Sequence, residues 1–517
     1  MRKLLVFSAM ALYAIGTFAQ DKPDTAVIAK IRAEGLGHSN VMDIAFHLTD
    51  GSGPRLMNSP GFFRAANWAK KTMQEWGLEN AALEPWGTFG KGWELQKSYI
   101  AMTAPYYKSL IGLPKTWTSG TGGLKNAAII IVDAKDSAAL LAYSGKLKGK
   151  IILLSQPDTL KPTYTADAGR YADSQLVKME AFQLTKPDTG RRPFNRGGGL
   201  QQAAAQLNRI KDLAKKEGAV AVLTSSPRGH DGTIFVQGGG AYSIQSPENF
   251  LDVMLAFEDY MMLYRLAKGG TAVKLDVDVQ TKFSAADSTG YNVIAEIKGT
   301  DKKLKEELVM IGGHLDSWHG SVGATDNAAG CAVMMEAMRI LKTLGIKPRR
   351  TIRIALWSAE EEGLIGSRNY VRNHFTDTAS RKFNAAGDKV AAYFNLDNGT
   401  GKIRGIYTQG NEAVKPLFTQ WLQPFNDLGA GAVTLQNTGG TDHLSFDAIG
   451  LPGFQFIQDG IEYNTRTHHT NMDSYDHLQA GDLMQAATIV ASFVYNAAMR
   501  EEKLPRKAFV AAPLRGF

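Results

Sequence analysis

The sequence predicts an α/β protein in which a central β-sheet packs against helices and is interrupted by a β-rich insertion. Apolar runs typical of buried strands alternate with amphipathic helical segments on both sides of the interruption. Between about residues 106 and 282 the pattern changes to short β-rich runs separated by glycine, proline and serine clusters. Polar and acidic residues follow several predicted strands, which is where open α/β sheets gather functional side chains.

The N-terminus carries a segment typical of a secretory signal peptide. Arg2 and Lys3 precede an apolar run over residues 4–19, which ends before the polar pair Gln20 and Asp21. This run is shorter than the ~18 apolar residues typical of a membrane span. We therefore expect residues 1–20 to be a signal peptide and the protein to be exported to the periplasm or the medium, with an uncleaved N-terminal anchor as the alternative.

The composition is that of an ordinary globular protein, with 44% hydrophobic and 21% charged residues. The formal net charge of +8 is spread along the chain, and no block of five or six like charges indicates a nucleic-acid or membrane partner. Cys331 is the only cysteine, which excludes an internal disulfide. Because it lies in the apolar part of a predicted helix, we expect it to pack in the core.

Helices are predicted before the insertion over residues 39–55 and 60–76, the second ended by Gly77. Within the insertion, residues 127–132 and 150–154 are typical of strands, and residues 201–224 of a helix followed by a strand. The glycine-rich stretches of the insertion do not continue as Gly-Lys-Ser/Thr into a helix, so we interpret them as plain loops.

The α/β pattern resumes after the insertion. Strands are predicted over residues 292–297, 307–311, 351–357 and 390–396, with a helix over 327–344 that ends at Gly345. The second of these strands runs directly into His314, and acidic residues follow the last two. Since the carboxyl ends of parallel strands meet at one edge of a sheet, we expect these polar side chains to lie close together.

The side chains gathered in this way have the chemistry of a zinc site. They are His314, Asp326, Glu361 and Asp397, joined by the adjacent histidines His468 and His469 near the C-terminus. Imidazoles and carboxylates are the ligands that zinc takes from proteins. Three carboxylates packed together without a cation would repel one another and raise their pKa values, whereas two dications would hold them ionised. Asp316 lies two residues after His314 and could orient its ring.

Five short motifs resemble those of the di-zinc exopeptidases related to bacterial leucyl aminopeptidases, and within them the plasma glutamate carboxypeptidase, or carboxypeptidase Q-like, branch. These are Gly-His-Leu-Asp-Ser-Trp at 313–318, Thr-Asp-Asn at 325–327, Leu-Trp-Ser-Ala-Glu-Glu-Glu-Gly at 356–363, Gly-Thr-Asp at 440–442 and His-His-Thr at 468–470. The resemblance covers nearly all of the chain after the predicted signal peptide. The insertion resembles a protease-associated domain, most visibly at residues 148–153 and 214–223.

The resemblance implies a domain organisation. A three-layer zinc-exopeptidase domain with a central mixed β-sheet would comprise residues 21–105 and 283–505. The protease-associated-like domain would be inserted at 106–282, and residues 506–517 would form a C-terminal tail. A homodimer is possible.

The resemblance also implies roles for the site residues. Asp326 would bridge two zinc ions, one completed by His314 and Asp397 and the other by Glu361 and His469. Glu360 would be the general base, supported by Asp316 among the catalytic residues. The peptide bond between Asp326 and Asn327 would be cis.

Three further residues are candidates for contacts with a short peptide substrate. His468 stands where some relatives have the tyrosine that stabilises the oxyanion, so it is a candidate for that role. Asp442 could bind a free α-amine, and Arg466 could bind a free α-carboxylate. The expected activity is therefore aminopeptidase or dipeptidase cleavage at the termini of short peptides.

Other functions remain open at this stage. A carboxypeptidase of the plasma glutamate carboxypeptidase type is one alternative, and a non-catalytic binding ectodomain of the same fold is another. A glutaminyl cyclase would share the sheet but resembles a one-zinc site without the insertion. Zinc stoichiometry separates these classes. A di-zinc exopeptidase would bind two zinc ions per chain, a glutaminyl cyclase one, and a non-catalytic ectodomain none.

Overall fold

The computed structural model describes residues 23–156, 159, 161–184, 197–380 and 382–508. The predicted signal peptide, residues 1–20, lies outside the described residues, as does most of the predicted tail, residues 506–517.

Strands and helices alternate along most of the described chain. The strands are β1 Glu79–Thr88, β2 Gly92–Ala104, β3 Lys108–Ser109, β4 Gly112–Pro114, β5 Lys125–Val132, β6 Ile151–Leu154, β7 Ala221–Ser225, β8 Asp252–Leu255, β9 Lys274–Ser284, β10 Thr289–Ile297, β11 Leu308–His314, β12 Thr351–Trp357, β13 Thr376–Asp377, β14 Lys382–Phe383, β15 Val390–Asn395, β16 Ile403–Tyr407, β17 Ala432–Thr434 and β18 Gly453–Gln458. The α-helices are α1 Thr25–Gly37, α2 Val41–Leu48, α3 Pro60–Glu75, α4 Ser137–Leu141, α5 Asp173–Glu180, α6 Gly197–Glu217, α7 Phe257–Lys268, α8 Ala329–Thr343, α9 Ile365–Phe375, α10 Ala385–Asp388, α11 Lys415–Leu422, α12 His443–Asp447 and α13 Ala480–Met499.

The first sheet is mixed and carries helices on both faces. Its strand order is β1-β10-β12-β11-β15-β18-β16-β17, and β12, β11, β15 and β18 run parallel to one another. Alternate residues of β11 point to opposite faces, so Val309 and Ile311 enter the large core beneath α2, α8 and α13 while Met310 enters a second core with α9 and α12. This arrangement confirms the predicted α/β class with a central mixed sheet.

A second sheet is formed by strands from the middle of the chain, in the order β3-β2-β9-β5-β6-β7-β8-β4. Its strands β5 to β8 are parallel, and α7 packs beside it. Strand β2 pairs with β9 along most of its length, so the second sheet begins at Gly92, inside the segment that the sequence had assigned to the peptidase domain. The predicted division at residues 106 and 282 remains a proposal, and this pairing favours moving its first limit toward Gly92.

The predicted elements and the structure agree most closely where local patterns are strong. Helix α3 begins after Ser59, whose hydroxyl accepts a hydrogen bond from the Phe62 N–H, and its predicted end at Gly77 has a φ of +76°. The helix predicted from residue 327 begins two residues later, because Asp326 and Asn327 have non-helical backbone angles. The peptide bond between these two residues is cis. Among the described residues, none of the helices combines the length and the apolar composition that a membrane span requires.

His319 joins the two sheets. It follows β11 of the first sheet, and its Nε2 donates a hydrogen bond to the main-chain oxygen of Pro114 in β4 at 2.6 Å. Its ring packs edge-on against Trp93 of β2, with 5.1 Å between centroids. Burial lowers the pKa of His319 to about 4, so the ring is neutral in the folded protein near neutral pH.

We predict that replacing His319 with Gln, which keeps a donor for Pro114, makes stability less sensitive to acid. The folded pKa lies below the unfolded value of ~6.5, so the stability contributed by neutral His319 is present above pH 6.5 and lost as the pH falls through about 4. When the pH is lowered from 7 to 4.5, the wild type should therefore lose on the order of 2–3 kcal/mol more unfolding free energy than the variant does. Urea unfolding at both pH values measures this difference.

The matched control is His38→Gln, the same change at a side chain that is 76% exposed. An equal shift in both variants, or no shift in the His319 variant, would contradict a buried neutral His319.

Candidate metal centre

The parallel strands bring the predicted ligands together at one edge of the first sheet. His314 is the last residue of β11, Glu360 and Glu361 follow β12, and Asp397 follows β15. Asp326 lies in the irregular turn that leads into α8. Because β11, β12 and β15 are parallel neighbours, their following residues converge at the same edge, as the sequence predicted.

Asp326 stands between the two imidazoles of the site. Its Oδ1 is 3.2 Å from Nε2 of His314, which is also 3.3 Å from Oδ1 of Asp397. Its Oδ2 is 3.1 Å from Nε2 of His469, which is also 3.0 Å from Oε2 of Glu361. The site therefore consists of two histidine–carboxylate groups that share one aspartate.

The donor atoms fit metal ions better than they fit one another. Ligand atoms of His314, Asp326 and Glu361 all lie within 4.8 Å of each other. Oδ2 of Asp326 and Oδ1 of Asp397 are buried and form no hydrogen bond of good geometry with the described residues, although a histidine Nε2 lies 3.1 Å and 3.3 Å away, respectively. A buried carboxylate oxygen without a donor is unfavourable, and a bound cation would satisfy it. Two imidazoles with three carboxylates form a donor set that suits zinc.

Without a cation, protons must balance this cluster. Burial raises the pKa of Glu361 to about 7 and that of Glu360 well above its usual range. Burial lowers the pKa of His314, but the carboxylates of Asp397 and Glu360 outweigh it and hold that pKa well above the usual value. Metal binding would release such protons, so metal affinity should rise with pH.

Asp316 connects the first histidine to the two glutamates. Its main-chain oxygen lies 3.0 Å from Nδ1 of His314, whereas its carboxylate is 3.7 Å away. The carboxylate instead accepts hydrogen bonds from the main-chain N–H groups of Glu360 and Glu361, each at 3.2 Å. Asp316 thus orients the His314 ring through its backbone and fixes the loop after β12 through its side chain.

Two supporting residues had not been identified from the sequence. Asp473 accepts hydrogen bonds from the main-chain N–H groups of Thr325 at 2.6 Å and Asp326 at 3.0 Å, and so fixes the shared aspartate. The position of Asp473 four residues after the predicted ligand His469 was the only sign in the sequence that it lies near the site. Arg55 is fully buried, and its guanidinium donates to four main-chain oxygens; these belong to Leu48, Leu315, Val322 and Gly323. No local pattern marks Arg55.

The three substrate-contact candidates lie in different surroundings. The His468 ring stacks on His469 at 3.6 Å between centroids, and its Nδ1 accepts a hydrogen bond from Nη2 of Arg228 at 2.7 Å. Asp442 is fully buried and neither of its carboxylate oxygens accepts a hydrogen bond from the described residues; burial raises its pKa to about 7. Arg466 is paired with Asp167 at 3.3 Å.

This fold, with a buried histidine–carboxylate cluster at the ends of parallel strands, defines the predicted class, a zinc-dependent exopeptidase. Residues 292–494 match the description of Peptidase family M28. Carboxypeptidase Q of Mus musculus is 27% identical over 472 residues, covering 89% of this chain and 86% of its own length. Carboxypeptidase Q of Homo sapiens is 26% identical over 471 residues, covering 89% and 85%. The predicted family is confirmed.

Solved peptidase structures are similar to this protein over nearly the whole chain. A Peptidase M28 precursor from Shewanella amazonensis has a TM-score of 0.66 and 25% identity, covering 94% of this chain and 99% of its own. A zinc aminopeptidase from Bacillus subtilis has a TM-score of 0.56 and 20% identity, covering 89% and 95%, and supports the fold alone. The similarity therefore extends across both sheets.

We predict that replacing Arg55 with Met destabilises the protein by at least about 3 kcal/mol, because several buried carbonyl groups lose their donor at ~1–3 kcal/mol each. Urea unfolding of the metal-free protein measures the loss. Arg209→Met on the exposed face of α6 is the matched control and should change stability by less than about 0.5 kcal/mol. A loss below about 1 kcal/mol for Arg55→Met would show that water replaces the guanidinium.

Proposed function

We propose that the protein is an exported two-zinc exopeptidase that cleaves short peptides at their termini. The shared position of Asp326 carries this proposal, since its Oδ1 faces His314 and its Oδ2 faces His469. His314 and Asp397 would complete one zinc site, and Glu361 and His469 the other. Bound zinc ions lower the pKa of water and polarise a peptide carbonyl.

Glu360 is the general base in this proposal. Its Oε2 lies 4.0 Å from Nε2 of His314, and its main-chain N–H is held by Asp316, so the carboxylate borders the cluster without being needed to complete it. It would take a proton from the attacking water and return it to the leaving amine. The raised pKa of Glu360, caused mainly by burial, favours a group that can hold a proton during the reaction.

We predict that Glu360→Gln lowers kcat by ~10²–10⁴, because the amide keeps the size and hydrogen bonds of the side chain but cannot accept the proton. Zinc content should stay near two per chain, as measured by atomic absorption on dialysed protein. Glu361→Gln is the matched comparison and should lose both zinc and rate. Wild-type turnover in Glu360→Gln would rule out this base.

Recognition of the substrate termini is proposed to use Asp442 and an arginine. Asp442 is a buried carboxylate without a donor, which favours a free α-amine as its partner. Arg466 was the predicted partner of a free α-carboxylate, but it already pairs with Asp167. Arg228 is better placed: it contacts His468, packs over the Phe235 ring at 4.4 Å, and makes no ion pair with a carboxylate of the described residues.

We predict that unblocked dipeptides are cleaved best, since each charged terminus contributes ~1.5–3 kcal/mol in a charge-assisted hydrogen bond. N-acetylated and C-amidated dipeptides should each lose about tenfold or more in kcat/KM. Arg228→Gln should remove the preference for a free carboxylate over the amide, whereas Arg466→Gln should preserve it. The reverse pattern in the two variants would assign the carboxylate to Arg466.

The same substrate series separates the related activities. Efficient cleavage of the amide would indicate a general aminopeptidase, as the name of the relative Aminopeptidase YwaD of Bacillus subtilis suggests for that protein. Efficient cleavage of the N-acetylated dipeptide would indicate a carboxypeptidase, as the name carboxypeptidase Q suggests for the relatives that match most of the chain. His468 as oxyanion donor, the signal peptide and a homodimer remain predictions.

A further inference from the structure

The loop that carries His468 and His469 is held by a segment from the middle of the chain, residues 233–237. The Val236 N–H donates to the main-chain oxygen of His469 at 3.0 Å, and Phe235 forms an antiparallel bridge with Thr470. Ile234 receives a hydrogen bond from the Asn471 N–H at 3.2 Å and donates its own N–H to the Asn471 side chain at 2.6 Å. This segment therefore forms one wall of the metal centre.

These contacts fix an uncommon backbone conformation. His469 has a φ of +62°, in the left-handed region that residues other than glycine rarely adopt. Such a conformation persists where neighbouring structure determines it. The hydrogen bonds from segment 233–237 supply that support and set the direction in which the His469 ring points.

Gln237 completes the wall by contacting the ring itself. Nε2 of its side-chain amide lies 2.9 Å from Nδ1 of His469, and a half-turn of the amide places the oxygen there; Nε2 of the same ring faces Asp326 at 3.1 Å and Glu361 at 3.0 Å. A neutral imidazole carries one N–H, so Nε2 can bind a metal only when the proton is on Nδ1. A proton on Nδ1 requires an acceptor. A glutamine amide can present either its N–H or its oxygen to the same neighbour, since a half-turn of the amide exchanges the two.

We propose that Gln237 is a positioning residue for the metal centre: its amide oxygen accepts the Nδ1–H of His469 and leaves Nε2 free to bind zinc. This inference rests on the proposed two-zinc function. The middle region of the chain supplies none of the five predicted ligands, yet in this way it sets the zinc affinity of the site that contains His469.

The test compares two substitutions at the same position. Gln237→Met has a similar shape but no acceptor, and should weaken zinc binding by ~10–100-fold, the usual effect of losing such a partner. Gln237→Glu keeps an acceptor and should bind zinc at least as tightly as the wild type. The zinc dissociation constants are measured by competition with a chromophoric chelator. Gln280→Met, the same change at an exposed residue of β9, is the control.

A role in packing alone predicts the opposite order, with zinc affinity kept in Gln237→Met and lost in Gln237→Glu, and that order would overturn the inference. Thermal unfolding of the metal-free variants shows whether each is folded. If the wild type binds two zinc ions and cleaves peptides, and Gln237→Met binds zinc as tightly as the wild type, the inference about Gln237 is rejected and the proposed function stands. Failure of the wild type to bind two zinc ions would reject the proposed function and this inference with it.

Discussion

The structure of this protein depends on one electrostatic constraint, the burial of several carboxylates around Asp326 close to the imidazoles of His314, His468 and His469. Oδ1 of Asp326 lies 3.2 Å from His314 and Oδ2 lies 3.1 Å from His469, so both contacts depend on the position of this one residue. Asp473 holds its main chain, and the turn that contains it is tied to Thr467 through the Thr325 hydroxyl. A bound dication would relieve the repulsion and leave this scaffold in place.

The surrounding side chains divide the support of the cluster between the two sheets. On the first sheet, Asp316 follows β11 and accepts hydrogen bonds from the loop after β12. The Arg55 guanidinium donates hydrogen bonds to main-chain oxygens of the loop after β11. From the middle of the chain, Gln237 reaches His469 and Arg228 reaches His468. Because the last two contacts cross between regions, the relative placement of the sheets bears on both the metal site and the space beside it.

Charge is distributed unevenly around the metal centre. Asp442 is buried on the side of His314 and Asp397, whose charges affect its pKa, whereas Arg228 lies on the side of His468 and is partly exposed. A zwitterionic peptide with an amine at one end and a carboxylate at the other matches this polarity. The fold and the comparisons support the zinc-dependent exopeptidase class, while the proposal of a dipeptidase over an aminopeptidase or a carboxypeptidase rests on these two charges.

The class of fold, the bounds of strands such as Thr351–Trp357 and the identity of the clustered residues could be predicted from the amino-acid sequence, because apolar periodicity and short motifs are local properties. The sequence did not reveal the partners of those residues. Gln237 and His469 are 232 positions apart, and Arg55 and Leu315 are 260 apart, so no local pattern relates them. The pairing of Arg466 with Asp167 and the exposure of Arg228 to the site were likewise decided by packing. Only the tertiary structure brings such distant polar groups within hydrogen-bonding distance.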